Sequence, residues 1–209
     1  MLDRQFREVA GPVLESLGCQ LARRGVTPGT LTAVGWLAGV GACLSAAGRL
    51  WSMALILWLV NRLFDGLDGP VARAVAPTLR GGFFDIVADF SVYGGFVVGV
   101  AIGVPTARLA CLVLLFTYYV SGTVFLAATS LLTARSSRRS DNRSFRFIGG
   151  LAEGGETVLV YVLFCLWPHS ATMIAWVFAL VVAITAVQRV VIGVRLLASD
   201  NLAVSPDYD

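Results

Sequence analysis

The sequence predicts an all-α integral membrane protein with six transmembrane helices, preceded by an N-terminal amphipathic helix in the membrane interface. Hydrophobic residues make up 57% of the 209 residues, and only 14% are charged. The mean hydropathy is +0.78. A soluble domain has about 25% charged residues, so an apolar excess arranged in long runs indicates a membrane protein. We expect a single membrane domain over residues 1–209.

The first predicted element is an amphipathic helix over residues 1–24. Apolar residues recur at three- and four-residue spacing, and Arg4, Arg7 and Glu15 fall between them. A soluble amphipathic helix has the same pattern, but the membrane span that follows favours a position in the interface. The Gly11-Pro12 pair predicts a bend in this helix.

Six apolar runs follow, and a bilayer-spanning helix needs about 20 mostly apolar residues. The predicted spans are 30–48, 51–72, 82–103, 108–132, 150–168 and 170–194. They form a predicted six-helix membrane bundle over 30–194. Most connections between the spans are short, whereas residues 134–147 form a long polar loop.

The arginines predict the orientation of the bundle, since the chain contains no lysine. If both termini are cytoplasmic, the outer loops carry only Arg49 and Arg108. The inner side then receives Arg4, Arg7, Arg23, Arg24, Arg73, Arg80, Arg135, Arg138, Arg139, Arg143 and Arg146. The positive-inside rule therefore predicts cytoplasmic termini and a cytoplasmic hinge between spans two and three, in a bacterial inner membrane.

The net charge of +3 and the absence of a basic stripe with aromatics argue against nucleic acid as a partner.

Four aspartates flank this hinge. Asp65 and Asp68 close span two, and Asp85 and Asp89 open span three. Spacings of three and four residues place each pair on one helix face. Carboxylates at a membrane edge are costly unless they are paired or bind cations. Oxygen ligands suit Mg²⁺, Mn²⁺ or Ca²⁺, while zinc fits poorly without a nearby cysteine or histidine. A two-metal carboxylate site is typical of phosphoryl transfer.

Two other interpretations use the same aspartates. They could cap helices and pair with Arg62, Arg73 and Arg80, although four carboxylates around one hinge favour a functional site. They could also bind the ion of an ion-coupled transporter. A transporter is expected to place its carboxylates near the bilayer midplane and to contain an inverted repeat, and neither is visible in the sequence.

The run DGLDGPVARAVAPTLRGGFFDIVAD, residues 65–89, resembles the signature of the CDP-alcohol phosphotransferases, also called phosphatidyltransferases. That signature reads DxxDGxxAR, eight residues, then GxxxDxxxD. The matching residues are Asp65, Asp68, Gly69, Ala72, Arg73, Gly81, Asp85 and Asp89. This chain has seven residues between Arg73 and Gly81, and Gly29 follows Pro28 where family members often have asparagine. We expect Pro70 to loosen the helix where the nucleotide lies.

The resemblance implies a metal-dependent enzyme of phospholipid biosynthesis. Such an enzyme transfers a substituted phosphate, usually phosphatidyl, from a membrane lipid such as CDP-diacylglycerol to an acceptor alcohol and releases CMP. It implies a homodimer and two cations, Mg²⁺ or Mn²⁺, with Ca²⁺ as a non-productive substitute. The implied metal ligands are Asp65, Asp68, Asp85 and Asp89, and Asp89 is also the implied catalytic base. The implied CDP-binding residues are Asp68, Gly69, Ala72, Arg73 and Gly81. A catalytically inactive lipid-binding member of the family is the alternative that the shortened hinge keeps open.

The acceptor site is predicted from three further arginines. Arg143 and Arg146 lie just before span five, and Arg189 is embedded in span six. A basic pocket of these side chains would suit a phosphorylated acceptor, such as glycerol 3-phosphate or inositol phosphate. Alternatively, Arg189 pairs with Glu153 or Glu156, and the loop arginines serve only as topology signals or contacts for anionic lipid.

Overall fold

The computed structural model describes residues 2–139 and 154–198, which fold into helices and short connections without a β-strand. The helices are α1 (Leu2–Arg23), α2 (Pro28–Ala47), α3 (Trp51–Val75), α4 (Leu79–Gly103), α5 (Arg108–Arg139), α6 (Gly154–Leu166) and α7 (Ala171–Ala198). Short 3₁₀ turns, Pro105–Ala107 and Pro168–Ser170, lead into α5 and α7. The predicted all-α class is therefore confirmed over the described residues.

Four of these helices, α2, α4, α5 and α7, are long and apolar enough to cross a membrane. Helix α3 has 25 residues, but it carries Arg62, Asp65, Asp68 and Arg73. Helix α6 has 13 residues within the described part of the chain. The helices α2 to α7 thus correspond in order to the six predicted spans, while the number of membrane crossings stays a prediction.

Helix α1 runs without interruption from Leu2 to Arg23, through Gly11 and Pro12. It packs against the end of α3 that carries the signature. Gly18 is buried there, and a Cβ atom at this position would lie 3.0 Å from the carbonyl carbon of Pro70. Helix α3 in turn continues through Pro70 to Val75. Pro70 is buried in this contact, which gives the proline a packing role that the sequence does not reveal.

Threonine caps define where α2 and α4 begin. Thr27 accepts a hydrogen bond from the backbone N–H of Thr30 at 3.2 Å, and Thr78 accepts one from Gly81 at 3.0 Å. Caps of this kind satisfy backbone donors in the first turn of a helix. Gly81, expected in the hinge, therefore lies in the first turn of α4, and the hinge itself is only residues 76–78. Ala76 in this hinge has a φ angle of 135°, which an L-residue rarely adopts.

Both α3 and α4 pack closely against α2, since a Cβ atom at Gly39 would meet Val92 of α4 and Asn61 of α3. A Cβ atom at Gly99 of α4 would lie 3.2 Å from the carbonyl carbon of Cys43 of α2. Small residues at such positions let helix backbones approach closely. Below the hinge, fully buried aromatic rings fill the space between α3, α4 and α6, with Phe96 and Tyr161 stacked at 4.6 Å between ring centroids. This packing holds the aspartate-bearing ends of α3 and α4 together.

Candidate metal centre

Three of the four signature aspartates come together at the ends of α3 and α4. One carboxylate oxygen each from Asp65, Asp68 and Asp85 lies within 4.8 Å of the other two. Asp68 is buried, and the other two are partly buried. Cations such as Mg²⁺ and Mn²⁺ prefer oxygen ligands, so this all-carboxylate donor set fits them. Three of the four predicted ligands therefore lie in one compact group of carboxylates.

Helix α2 forms the third wall of the pocket around these carboxylates. Thr32 Oγ1 donates a hydrogen bond to Asp68 Oδ2 at 2.8 Å. Asn61 of α3 donates from Nδ2 to the backbone oxygen of Gly35 at 2.9 Å. The pocket is lined by Thr32, Gly35, Trp36, Asn61, Asp65, Asp68, Asp85, Ala88 and Asp89. Sequence reasoning missed the contribution of α2, since only the three-dimensional arrangement brings Thr32 to an aspartate 36 residues away.

A partly buried arginine connects the two pairs of aspartates. Arg62 Nη2 donates to Asp89 Oδ1 at 2.8 Å, and Nη1 lies 3.2 Å from Asp65 Oδ2. Nη1 also donates to the hydroxyl oxygen of Tyr93 at 2.6 Å, and Nε donates to Asn61 Oδ1 at 2.9 Å. The Arg62 side chain is only 11% exposed. Its pairing with Asp65 and Asp89 agrees in part with the structural interpretation of the aspartates, whereas Asp65 also belongs to the three-carboxylate group.

The charges in this pocket do not balance. Asp65, Asp68, Asp85 and Asp89 contribute four negative charges when ionised, and Arg62 contributes one positive charge. Carboxylates held close together favour either protonation or a bound cation. The arrangement can therefore bind divalent cations at three of its carboxylates, with Asp89 held separately by the guanidinium.

Comparison with known proteins identifies the family. The chain is 38% identical over 205 residues to inner membrane protein YnjF of Escherichia coli, covering 95% of this chain and 98% of that protein. It is 30% identical over 198 residues to the phosphatidylinositol phosphate synthase of Mycobacteroides abscessus, covering 88% and 84%. The chain belongs to the CDP-alcohol phosphotransferase family. It is thereby a metal-dependent CDP-alcohol phosphotransferase, and the transporter hypothesis is set aside. No protein-family model matches the chain.

Solved structures support the fold of this CDP-alcohol phosphotransferase. The phosphatidylinositol phosphate synthase of Mycobacterium tuberculosis with CDP-DAG bound has a TM-score of 0.66 and 23% identity, covering 88% of this chain and 94% of that chain. The same protein in complex with manganese and citrate also has a TM-score of 0.66, at 22% identity, covering 86% and 88%. At this level of identity the likeness shows the shared fold.

The remaining signature residues of the phosphotransferase lie beside the carboxylate group along α3 and at the start of α4. Arg73 donates from Nε and Nη2 to Glu15 Oε1 of α1, at 3.1 and 2.5 Å. A Cβ atom at Gly69 would lie 3.4 Å from Arg73 Nη1, so the guanidinium lies close to the backbone of this turn. Ala72 is in the same turn, and Gly81 is one turn before Asp85. Arg73 is thus placed on the surface and not in the carboxylate pocket.

Of the residues predicted to bind the acceptor, the structure describes only Arg189. Its Nη1 donates to Ser121 Oγ at 2.9 Å, and the guanidinium lies 5.3 Å from the ring centroid of Phe125. These contacts connect α7 to α5. Arg143 and Arg146 lie outside the described residues, as does Glu153, so the structure does not test the predicted basic pocket.

Proposed function

We propose that this protein transfers a phosphatidyl group from CDP-diacylglycerol to the hydroxyl of an acceptor alcohol and releases CMP, as a step in phospholipid biosynthesis. The observation that carries the proposal is the group of three signature carboxylates within 4.8 Å, with Asp89 in the same pocket. The phosphatidylinositol phosphate synthases among its relatives support this class of reaction.

We assign Asp65, Asp68 and Asp85 as the central metal ligands, with Asp89 of the same pocket as a fourth. Two divalent ions, Mg²⁺ or Mn²⁺, would neutralise the oxygens of the donor's pyrophosphate when bound there. Thr32 Oγ1 donates to Asp68 Oδ2, and a hydrogen bond of this kind would hold the carboxylate in position for metal binding. Ca²⁺ would occupy the same ligands without supporting turnover.

Asp89 is assigned as the base that accepts the proton of the acceptor hydroxyl. The hydroxyl oxygen then forms a bond to the phosphorus of the phosphatidyl group. The bond between this phosphorus and the CMP oxygen breaks, and CMP leaves with the electron pair. A carboxylate is a modest base, so its main contribution is to hold the hydroxyl in line for attack.

The CDP moiety is proposed to lie along Asp68, Gly69, Ala72, Arg73 and Gly81. Gly69 has no side chain, so the backbone of this turn is open to a ligand, and Arg73 Nη1 lies 3.4 Å from where its Cβ atom would be. An arginine can donate two parallel hydrogen bonds to a phosphate. In the structure, Nε and Nη2 of Arg73 both donate to Glu15 Oε1.

We further propose that α2 to α7 span a bacterial inner membrane as six helices, with α1 in the interface and both termini cytoplasmic. Four apolar helices and the arginine distribution support this arrangement. The charged end of α3 then lies at the cytoplasmic edge of the bilayer, where it carries the site. A homodimer remains an expectation from the family resemblance.

The acceptor is proposed to be a phosphorylated alcohol that binds Arg143, Arg146 and Arg189. Two of the relatives are phosphatidylinositol phosphate synthases, which supports a phosphorylated acceptor. Arg189 supports it by its position inside α7, where an arginine is expected to face a partner or a cavity.

The test is CMP release by purified protein in lipid. CDP-diacylglycerol, Mn²⁺ or Mg²⁺, and a panel of free and phosphorylated alcohols would be supplied together. We expect CMP only when donor, metal and one class of acceptor are present, and none from the Asp89→Asn variant. No CMP with any acceptor, or equal release by the variant, would contradict the proposal and favour an inactive lipid-binding protein.

A further inference from the structure

We propose that α1 supports the CDP-binding turn of α3, residues 69–73, and that α1 is kept on this turn by binding to an anionic membrane surface. The inference rests on the proposed function, because it takes this turn as part of the CDP site. The membrane surface would contact the exposed apolar side chains of Val13 and Leu17, together with Arg23 and Arg24. The affinity of the enzyme for CDP would then depend on the charge of the surrounding lipid.

Helix α1 contacts α3 both before and after Asp68 in the chain. Before Asp68, Leu14 Cδ1 lies 3.7 Å from the position that a Cβ atom of Gly66 would have. After Asp68, the backbones approach closely, since a Cβ atom at Gly18 would lie 3.0 Å from the carbonyl carbon of Pro70. The backbone of this part of α3 is therefore in contact with α1 along a full helical turn.

The apolar cluster between α1 and α3 is small and is separate from the main core. Its buried members are Leu31, Leu67 and Val71, and Leu14, Leu21, Ala22, Val26 and Phe64 pack against them. An element that buries few apolar side chains opens more easily than one in the main core. The ion pair between Glu15 and Arg73 adds little, because the two side chains are 50% and 60% exposed. A contact with the membrane can therefore change how firmly α1 is held on α3.

The apolar surface of α1 is only partly covered by α3. By helical periodicity, Val13 and Leu17 continue the apolar strip that contains Leu14 and Leu21. Leu14 and Leu21 pack in the small cluster, whereas Val13 and Leu17 are 60% and 41% exposed. Helix α2, which is long and apolar enough to cross a membrane, begins shortly after α1 ends. The bilayer is therefore the apolar partner beside the exposed half of the strip.

The charges of this part of α1 favour an anionic surface. Arg23 is in the last turn of α1, Arg24 follows it, and both are exposed. The only acidic residue between 11 and 24 in the sequence is Glu15, and its charge is paired with Arg73. Each arginine near an anionic surface strengthens binding about fivefold, and salt screens this attraction.

The proposal links the lipid product to the enzyme. A phosphodiester is ionised at neutral pH, and a phosphorylated acceptor brings a phosphate of its own. The product of the proposed reaction is therefore an anionic lipid that forms in the same membrane. Its accumulation would hold α1 on α3 and would strengthen CDP binding.

The experiment follows α1 with a nitroxide spin label on Cys19. Cys19 is exposed, whereas Cys43 is partly buried and Cys111 and Cys165 are buried, so Cys19 reacts selectively and Cys19→Ser gives the background. The protein would be placed in lipid discs of phosphatidylcholine alone, or of equal parts of phosphatidylcholine and phosphatidylglycerol. Electron paramagnetic resonance reports the mobility of the label. Calorimetric titration of unlabelled protein with CDP in the presence of Mn²⁺ reports the affinity for CDP.

Two double variants separate the apolar and the charged parts of the membrane contact. Val13→Ser/Leu17→Ser removes the apolar side chains, and Arg23→Gln/Arg24→Gln removes the charges. In anionic discs we expect both variants to have a more mobile label than wild type and to bind CDP about fivefold more weakly. In neutral discs the arginine variant should match wild type, because the lipid charge that it would contact is absent. Comparing variant with wild type in the same disc removes the repulsion between CDP and anionic lipid.

The matched control is Ser16→Ala/Gln20→Ala, which changes two exposed polar residues of α1 and should behave like wild type in both discs. Equal label mobility in all variants and both discs would overturn the membrane contact. A more mobile label with wild-type CDP affinity would overturn the support of the CDP-binding turn. If Val13→Ser/Leu17→Ser changes a dimer into a single chain, a second copy covers this face, and the proposal is overturned.

The arginine variant decides the outcome if the apolar variant does not fold, because Arg23 and Arg24 are exposed and their replacement leaves the packing of α1 intact. Failure of the proposed function has a different signature. Wild-type protein would then bind no CDP in either disc, while the label on Cys19 would still respond to the charge of the lipid.

Discussion

Two arginines of α3 form ion pairs in contrasting surroundings. Arg62 is 11% exposed and contacts two aspartates of the carboxylate pocket, whereas Arg73 is 60% exposed and contacts Glu15 of α1. They are eleven residues apart, which is close to three helical turns, so they lie on nearly the same face about 16 Å apart along the axis. Depth in the packing, and not the direction of the side chain, therefore separates their roles.

The signature alone does not show which arginine lies in the carboxylate pocket, because the signature contains Arg73 and the pocket contains Arg62. Arg73 belongs to the signature and lies at the surface, where a guanidinium can exchange Glu15 for an incoming phosphate. Arg62 is outside the signature and contacts Asp89 of α4 and the rings of Trp58 and Tyr93. Breaking a buried ion pair is costly, whereas a surface pair contributes little to stability.

The largest expected effect is on stability and tests this contrast directly. We expect Arg62→Ala to lower the free energy of unfolding by about 2–3 kcal/mol, because it leaves the partly buried carboxylates of Asp65 and Asp89 without their partner. Arg73→Ala should lower it by less than about 1 kcal/mol. Thermal or denaturant unfolding of both variants in one detergent, without added metal, checks the prediction. Equal losses of unfolding free energy in the two variants would mean that the ion pairs of Arg62 stabilise the protein no more than the exposed pair of Arg73.

The second prediction removes a metal ligand but leaves the Arg62–Asp89 bond intact. Asp85→Asn should weaken Mn²⁺ binding and CMP release by about 100-fold, because one of three ligand carboxylates is lost. Chelation of the metal in wild-type protein should abolish CMP release, and added Mn²⁺ should restore it. A wild-type Mn²⁺ affinity in Asp85→Asn would show that the carboxylate group is structural.

The third prediction disturbs the Arg73 side of the comparison. A side chain at Gly18 would run into Pro70 and the backbone nitrogen of Val71, which is 3.1 Å from the Cβ position. We expect Gly18→Leu to separate α1 from α3 and to lower the free energy of unfolding by about 2 kcal/mol. Gly11→Leu is the control, because a Cβ atom at Gly11 has no neighbour within 4 Å among the described residues. Similar losses in both variants would contradict the close contact.

The smallest effects concern Arg73 and its partner. Arg73→Gln should raise the KM for CDP-diacylglycerol about tenfold with a smaller change in kcat, because a bidentate phosphate contact is lost. Glu15→Gln should change the same KM by no more than about twofold, since an exposed ion pair holds Arg73 only weakly. Steady-state kinetics of the two variants checks both. A larger effect of Glu15→Gln would indicate that α1 controls access of Arg73 to the donor.

Much of this architecture could be predicted from local features of the sequence. Apolar runs of about 20 residues predicted the helices that became α2 to α7, because apolar length depends on chain neighbours alone. The helix starts were less predictable. Gly81 was expected in the hinge, but the cap from Thr78 includes it in α4. Pro70 had no evident packing role in the sequence, because its partner Gly18 is on another helix.

Some features of the candidate site also follow from the local sequence, and others depend on tertiary packing. Spacing by three and four residues determined by itself that Asp65 and Asp68 share one face and Asp85 and Asp89 another, because helical periodicity is a local property. Only the tertiary structure decided that Asp89 bonds to Arg62 while Asp85 joins the carboxylate group. That choice depends on how closely α2 holds α3 and α4 together, and burial of this kind is a property of the packed helices and not of residue spacing.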